Sequence, residues 1–513
     1  MPAAKPTRSA TNRKPAIRPM DPSAAIDVLL LLRPAEKGIN DVKAVQSFAG
    51  AHGLRVAATN SERRTIVLNG SARHMSKAFG VTLRLQQIGG VTYRSHRGAL
   101  KVPKELAGIV TGVFGLDNRP VAKRPGRQSF PPPESDKPPP VNANTRPPKH
   151  FRQLYQFPKG ATGKGESIAV LEFGGGFEPR RLKHALTQLG VAASKVVVRE
   201  ISPGANLPVN LPGKLSPDAE VYMDLEILAS VAPGATLVVY FGENSSRGWI
   251  ETLHAAIFDK KYRPSVISIS WGQAEENWDP QTVSAIDHAL KLAALAGITV
   301  CCSSGDRGVF EAGKPYTVAY PASSVFALAC GGTQLDPLKA ETRRESVWNQ
   351  SEAGLASGGG ISSLFNRPVF QRSHRVPAHA ATQKPGRGIP DVAANASSAT
   401  GYLIIADGTP MSLGGTSAAA PLWAGLVACL NQALRRRIGY LTPLLYTGKP
   451  DAANNGALRS IRIGDNQLDG RQGYRARKGW DACTGLGSPH GVNLLAWLRR
   501  QTADAGKSAV AEP

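Results

Sequence analysis

Five cysteines in 513 residues are too few and too irregularly spaced for a disulfide framework. Cys301, Cys302, Cys330 and Cys429 fall inside apolar runs, where buried thiols are expected. No stretch approaches the about 18 uninterrupted apolar residues of a membrane span. The basic start has a short apolar run that carries Asp27 and ends at Arg33 without a small-residue cleavage site, so it does not read as a conventional signal peptide. Zinc-finger spacing, a helix-turn-helix signal and interleaved basic and aromatic residues are all missing. The formal charge of +24 therefore does not point to nucleic acid.

That charge is unevenly spread. Residues 1–150 hold 25 Lys/Arg against 9 Asp/Glu, and the other 363 hold 37 against 29. A segment with ten prolines between Arg119 and Lys149 contains almost nothing that could enter a core, so it reads as an exposed linker open to proteolysis. The expected organisation is a basic disordered arm at 1–22, a small α+β unit at 23–120, a proline-rich linker at 121–148, a large unit at 149–500 and a tail at 501–513. In the large unit, apolar strands such as "ESIAVLEFGGGF", "ATLVVYFG", "SVISISWG" and "GITVCCSSGD" alternate with helical stretches. This pattern predicts an α/β fold with a doubly wound parallel sheet, whose strand carboxyl ends carry the site.

Three segments could do chemistry. "LSPDAEVYMDLEILASVAPGA" reads as a helix capped by Ser216, with Glu220 and Asp224 four apart on a face that continues through Leu228 and Val231. The two carboxylates either point inward along this apolar stripe or form a solvated acidic face. "TVCCSSGDRGVF" ends a strand in Ser303-Ser304-Gly305-Asp306. Asp306 caps the next turn or, as a protonated acid, donates a hydrogen bond to an oxyanion. In "SLGGTSAAAPLWAGLVACL" a glycine pair turns the backbone sharply ahead of Ser417, and a helix from Ala418 to about Arg436 aims its amides at the hydroxyl. Pro421 is expected in that helix's first turn. None of the ten histidines lies in a His-Gly-Thr context, so the serine needs another base, and Glu220 is the best candidate.

These segments, with "SGGGISSLFNRPVFQ", "RGIPDVAANA", "GWDACTGLGSP" and "VPKELAGIVTGVFGLDNRP", fall in the order of the sedolisins, the serine-carboxyl peptidases. The chain resembles that family across residues 23–490, in a kumamolisin-like form with a pro-kumamolisin-type activation domain. The resemblance implies a subtilisin-like fold, a removable N-terminal domain that inhibits and chaperones, and polypeptide substrates. It implies that Ser417 is the nucleophile, Glu220 the general acid and base, Asp224 its partner and Asp306 the oxyanion donor. Glu172, Trp271, Gly358 and Gly359 match positions of the surrounding network and substrate strand.

The resemblance also implies a calcium site near the C-terminus. Asp481, Gly479 and Ile461 match it, but Ser460 stands where an Asp is expected, Arg462 replaces a Thr and Arg477 takes a glycine position. Losing a carboxylate and adding cations weakens a site for a hard dication, so calcium is expected to be weak or absent, and no organic cofactor is expected. The resulting expectation is a monomeric, secreted, acid-active endopeptidase made as a zymogen. The alternatives are a tripeptidyl aminopeptidase of the same family and a non-catalytic peptide-binding pseudopeptidase.

Overall fold

The computed structural model describes residues 17–35, 41–122, 139–191, 194–209, 216–311, 313–336, 344–447, 456–468 and 470–508, with side chains followed as far as residue 501. The chain divides into two compact units. The smaller contains residues up to Pro120 together with Ser245–Arg247, and the larger contains Val121–Asn244 and everything from Gly248 onward.

In the smaller unit, strand Ala25–Leu32 sits between Thr65–Ser71 and Val110–Phe114, with Arg55–Asn60 at the edge. The buried side chains of Ala25–Leu32 pack with Val45 and Phe48 of helix Asp41–Ala51 and with Met75 and Phe79 of helix Ala72–Phe79. The second helix shows how local sequence sets its ends. Ser71 Oγ accepts from His74 N, and Gly80 closes the helix in the left-handed region at φ 64. Ile17–Pro19 pairs antiparallel with Thr82–Ile88, so the expected arm at 1–22 is structured from residue 17, while 1–16 lie outside the described residues.

The larger unit is built on an eight-stranded sheet. In spatial order run Glu345–Val347, Leu328–Leu335, Thr299–Ser303, Val266–Ile269, Ser167–Glu172, Thr236–Phe241 and Lys195–Glu200, with Val392–Asn395 also paired to Leu328–Leu335. All these pairings are parallel except that of Glu345–Val347. Ser167–Glu172 comes first in sequence yet lies inside the sheet. The chain winds first to one side of it and then, after Phe241, crosses to the other. A reversal of this kind opens a crevice at the strand carboxyl ends, here Glu172, Phe241, Ile269 and Ser303. Behind it, Arg387 and Asp391 of "RGIPD" form an ion pair at 2.6 Å with both side chains fully buried, and Asp391 also accepts from Ala329 N at 2.8 Å.

Two further boundaries differ from expectation. Residues 123–138 of the proline-rich segment lie outside the described residues, but its end belongs to the larger unit. There Thr145 Oγ1 donates to Ser412 Oγ at 2.9 Å, and Arg146 N donates to Gly401 O at 3.0 Å. The last helix, Gly491–Ser508, passes residue 501, where a tail was expected, and 509–513 are not described. The helix Thr416–Leu434 is, among the described residues, the one long and apolar enough by length and composition to cross a membrane. Its residues through Asn431 are buried in the core, which accounts for that composition.

Candidate active site

The carboxylate helix runs Asp218–Val231, and every one of its residues is buried. Glu220 is 6% exposed and Asp224 0%, so the solvated acidic face is excluded. The start of the helix differs from expectation: Pro217 occupies the cap position and no side chain caps the helix. Asp218 instead turns to the preceding loops, accepting from Gly176 N at 2.9 Å and Val209 N at 2.7 Å.

This helix packs against the serine helix, Thr416–Leu434. Because that helix begins at Thr416, Pro421 lies in its second turn, not its first. A proline has no N–H to offer the carbonyl four residues earlier, which is that of Ser417. Ser270 stands at the gap, its single hydroxyl proton within reach of two acceptors. Its hydroxyl lies 3.3 Å from Ser417 O and 2.9 Å from Asp224 Oδ1, tying the two helices together at the end of strand Val266–Ile269. The Ser417 hydroxyl, 2% exposed, donates a long bond of 3.5 Å to Ser270 O.

Burial raises the Asp224 carboxyl well above its ordinary value; the charges of Glu172 and Glu220 add to this, and the Ser270 bond opposes it. Glu172 ends the central strand and accepts from Trp271 Nε1 at 2.9 Å. The structure therefore brings Glu172, Trp271, Glu220, Asp224 and Ser270 into one cluster, in which Trp271 and Ser270 donate to Glu172 and Asp224 and the three carboxyls disfavour one another's ionisation.

Asp306 approaches from the next strand end. Its Oδ1 accepts from Thr416 N at 2.7 Å and Thr416 Oγ1 at 2.8 Å. Thr416 Oγ1 in turn accepts from Gly305 N at 3.0 Å, so its single proton points at Asp306. Gly415 is required twice over: its φ is 91, and a Cβ there would lie 2.7 Å from Asp306 Oδ2. Burial raises the Asp306 carboxyl, and the two Thr416 bonds oppose that. With Oδ1 accepting twice, Oδ2 is the oxygen that a neutral Asp306 has left for its proton, and it lies against Gly415 in the turn that leads to Ser417.

Gly358 and Gly359 brace the turn that carries Asp306. Gly358 N donates to Gly305 O at 2.8 Å, its carbonyl accepts from Ser304 Oγ at 2.7 Å, and Gly359 N donates to Gly308 O at 3.2 Å. A Cβ on Gly358 would strike Ser304 O at 2.4 Å.

Two carboxyls near these elements escape sequence reasoning. Glu226, on the carboxylate helix, is 0% exposed, accepts from Ile405 N at 2.9 Å, and is raised by burial to about 8. Glu311 accepts from Arg307 N at 3.2 Å and is pushed to about 8 by burial, with Asp306 contributing.

The expected calcium residues do gather in the loop around Asp481, but the Asp481 carboxylate is committed elsewhere. Asp481 Oδ1 accepts from Cys483 N at 2.9 Å and Thr484 N at 2.8 Å, and Oδ2 accepts from Arg477 N at 3.3 Å. The Arg477 guanidinium reaches Trp480 O at 3.0 Å and Arg375 O at 2.6 Å, while Ser460 Oγ lies 3.5 Å from Arg477 O. Ile461 is buried alongside, and Gly479 turns the loop at φ 82. Among the described residues, no group of three His, Cys, Asp or Glu side chains stands in a metal-holding arrangement. One carboxylate already saturated by N–H donors does not fit an ion that takes six to eight oxygens.

Residues 214–474 match the subtilase family, and residues 31–119 match the pro-kumamolisin activation domain. The chain is 39% identical over 477 residues to kumamolisin of Bacillus sp. (strain MN-32), covering 91% of this chain and 84% of that protein. It is 25% identical over 523 residues to tripeptidyl-peptidase sed5 of Aspergillus fumigatus, covering 90% and 85%. Among solved structures it is similar to Pseudomonas sedolisin, a serine-carboxyl proteinase complexed with two molecules of pseudo-iodotyrostatin. That match has a TM-score of 0.61 at 27% identity, over 70% of this chain and 99% of that one.

Proposed function

The chain belongs to the sedolisin family of serine-carboxyl peptidases and carries an activation propeptide, and on that premise we propose that it is an acid-active endopeptidase made as a zymogen and exported to an acidic medium. Ser417 Oγ attacks the peptide carbonyl carbon and its proton passes to Glu220. Asp306 Oδ2–H donates to the oxygen that becomes negative. Glu220 then returns the proton to the leaving amine, and water reverses the sequence to release the acyl group. Asp224 orients Glu220, and Ser270 holds both helices in place.

The observation that carries this reading is the asymmetry of Asp306. One oxygen is pinned by Thr416 and the other is left to hold a proton beside the nucleophile turn. Such a donor works only while protonated, and a carboxylate base works only while ionised. The active range therefore lies where coupled carboxyls share protons, below the range of a histidine base. The excess cationic charge of the N-terminal region supports acid-triggered maturation, because protonating the peptidase's carboxylates removes attraction to it.

We also propose that the Arg477–Asp481 loop closes without calcium, since both oxygens of its one carboxylate already accept from the chain's own donors.

The test follows hydrolysis of casein peptides and the mass of the chain itself between about pH 2 and pH 8. Wild type should peak in acid and cut its own linker. Ser417→Ala and Glu220→Gln should each lose at least about 10³-fold in kcat. A Glu220→Gln variant within about tenfold of wild type overturns the assignment of the base. Internal cuts at the earliest time points support the endopeptidase reading, whereas stepwise release of tripeptides assigns the exopeptidase alternative.

A further inference from the structure

Val121 and Ala122 are the first residues of the larger unit, and all four of their backbone polar groups are bonded by two residues. Val121 N donates to Asn244 O at 3.3 Å, and Gln273 Nε2 donates to Val121 O. Ala122 N donates to Asn244 Oδ1 at 3.0 Å, and Asn244 Nδ2 donates to Ala122 O at 2.8 Å. The side-chain amide of Asn244 thus pairs with the N–H and C=O of one residue, Ala122, as a neighbouring antiparallel strand would. Its orientation is fixed from behind, where Trp249 Nε1 donates to Oδ1 at 3.3 Å and the Trp249 ring stacks on Phe173 at 4.0 Å. The Ala122 methyl is buried, with the residue 3% exposed.

Both clamp residues stand beside the carboxylate cluster. Asn244 follows strand Thr236–Phe241, whose last residue is in register with Glu172. Gln273 ends the segment Ser270-Trp271-Gly272-Gln273, whose first two residues touch Asp224 and Glu172. A preorganised amide pair that reads only backbone suits an enzyme that must hold polypeptides of varied sequence.

We propose that Asn244 and Gln273 form an outer subsite that grips the backbone of a polypeptide substrate, with an alanine-sized seat at its second position. Val121–Ala122 fills the subsite in the uncut chain, and substrate takes it over once that segment leaves. This rests on the peptidase reading, so the test has two arms.

In the first arm, a short cleavable peptide is lengthened residue by residue from each end, and KM is followed for the active chain. For wild type, one extension step that adds alanine should lower KM by about tenfold, and leucine at the same place should forfeit the gain. In Asn244→Ala and Gln273→Ala the gain should vanish. Asn244→Asp, which retains the acceptor for Trp249 and loses the donor to Ala122, guards against a folding defect. Equal gains in wild type and all three variants overturn the proposal.

In the second arm, hydrogen exchange is measured at Val121–Ala122 in full-length Ser417→Ala. The Asn244→Ala and Gln273→Ala changes should each speed it by about tenfold or more, and unchanged exchange in both overturns the clamp. If wild type hydrolyses no peptide at all, the peptidase reading falls and substrate take-over falls with it. Faster exchange would then leave only a clamp on the chain's own segment.

Discussion

Asp306 and Asp481 are the same residue type, almost equally buried at 4% and 2% exposed, and burial raises both carboxyls, that of Asp481 to about 6. Their donors are arranged differently. Both bonds to Asp306 come from Thr416 and converge on one oxygen. Asp481 is held on both oxygens, by backbone donors from Arg477, Cys483 and Thr484 and by the Thr484 hydroxyl. The first arrangement leaves an oxygen able to carry and offer a proton, and the second closes a loop. Burial alone therefore does not decide how a carboxyl's two oxygens are used; the placement of its donors does.

The largest effect expected from this contrast is on kcat. Asp306→Ala should lower it by about 10²–10³-fold, as loss of one oxyanion donor does. Asp306→Asn sharpens the comparison further. An amide can accept from Thr416 through Oδ1 and donate through Nδ2 at any pH, so activity should persist to higher pH than in wild type. The pH profile of kcat decides: an unchanged alkaline limb would mean that a different carboxyl sets it.

The contrast was only partly legible in the sequence. Strand ends rich in glycine and polar residues marked the crevice, and the four-residue spacing of Glu220 and Asp224 put them on one face. Those signals are local and periodic. Ser270 was missed because its role arises from Pro421, a residue distant in sequence that leaves Ser417 O without a helical partner. The Ser216 cap failed because Asp218 is drawn to Gly176 N and Val209 N. Glu226 was missed because attention to one face hides a helix buried all round. The ends of the proline-rich segment were missed because composition says nothing about backbone pairing such as that of Arg146 with Gly401. What the chain dictates locally was readable, and what two distant segments agree on was not.

On the loop side, the expected loss is of stability. Asp481→Ala strips acceptors from Cys483 N, Thr484 N and Arg477 N and should cost about 2–4 kcal/mol, read from urea unfolding. The calcium proposal is checked on the wild-type full chain by comparing Tm with excess calcium and after exhaustive chelation. Arg477 already spans Trp480 O and Arg375 O, so the two curves should coincide. A Tm that rises with calcium concentration would show an ion displacing these bonds, and the loop would then resemble a ligand site more than a closed clasp.

Glu226 extends the comparison within a single helix, two residues from Asp224 and on a different face. Burial holds its carboxyl at about 8, against the single opposing bond from Ile405 N. The folded chain thus keeps a proton that the unfolded chain releases near the ordinary glutamate value. Its contribution to stability is complete below that value and is lost as pH rises toward about 8, with a slope of up to about 1.4 kcal/mol per pH unit. Glu226→Gln keeps an acceptor for Ile405 N and has no proton to lose. It should match wild type near pH 4 and gain on it progressively toward about pH 8 in denaturant midpoints. If the two proteins stay parallel at every pH, the ionised form of Glu226 is solvated within the fold. Burial would then not be what retains protons in this helix, and the raised carboxyl of Asp224 would have to be ascribed to the charges of Glu172 and Glu220 instead.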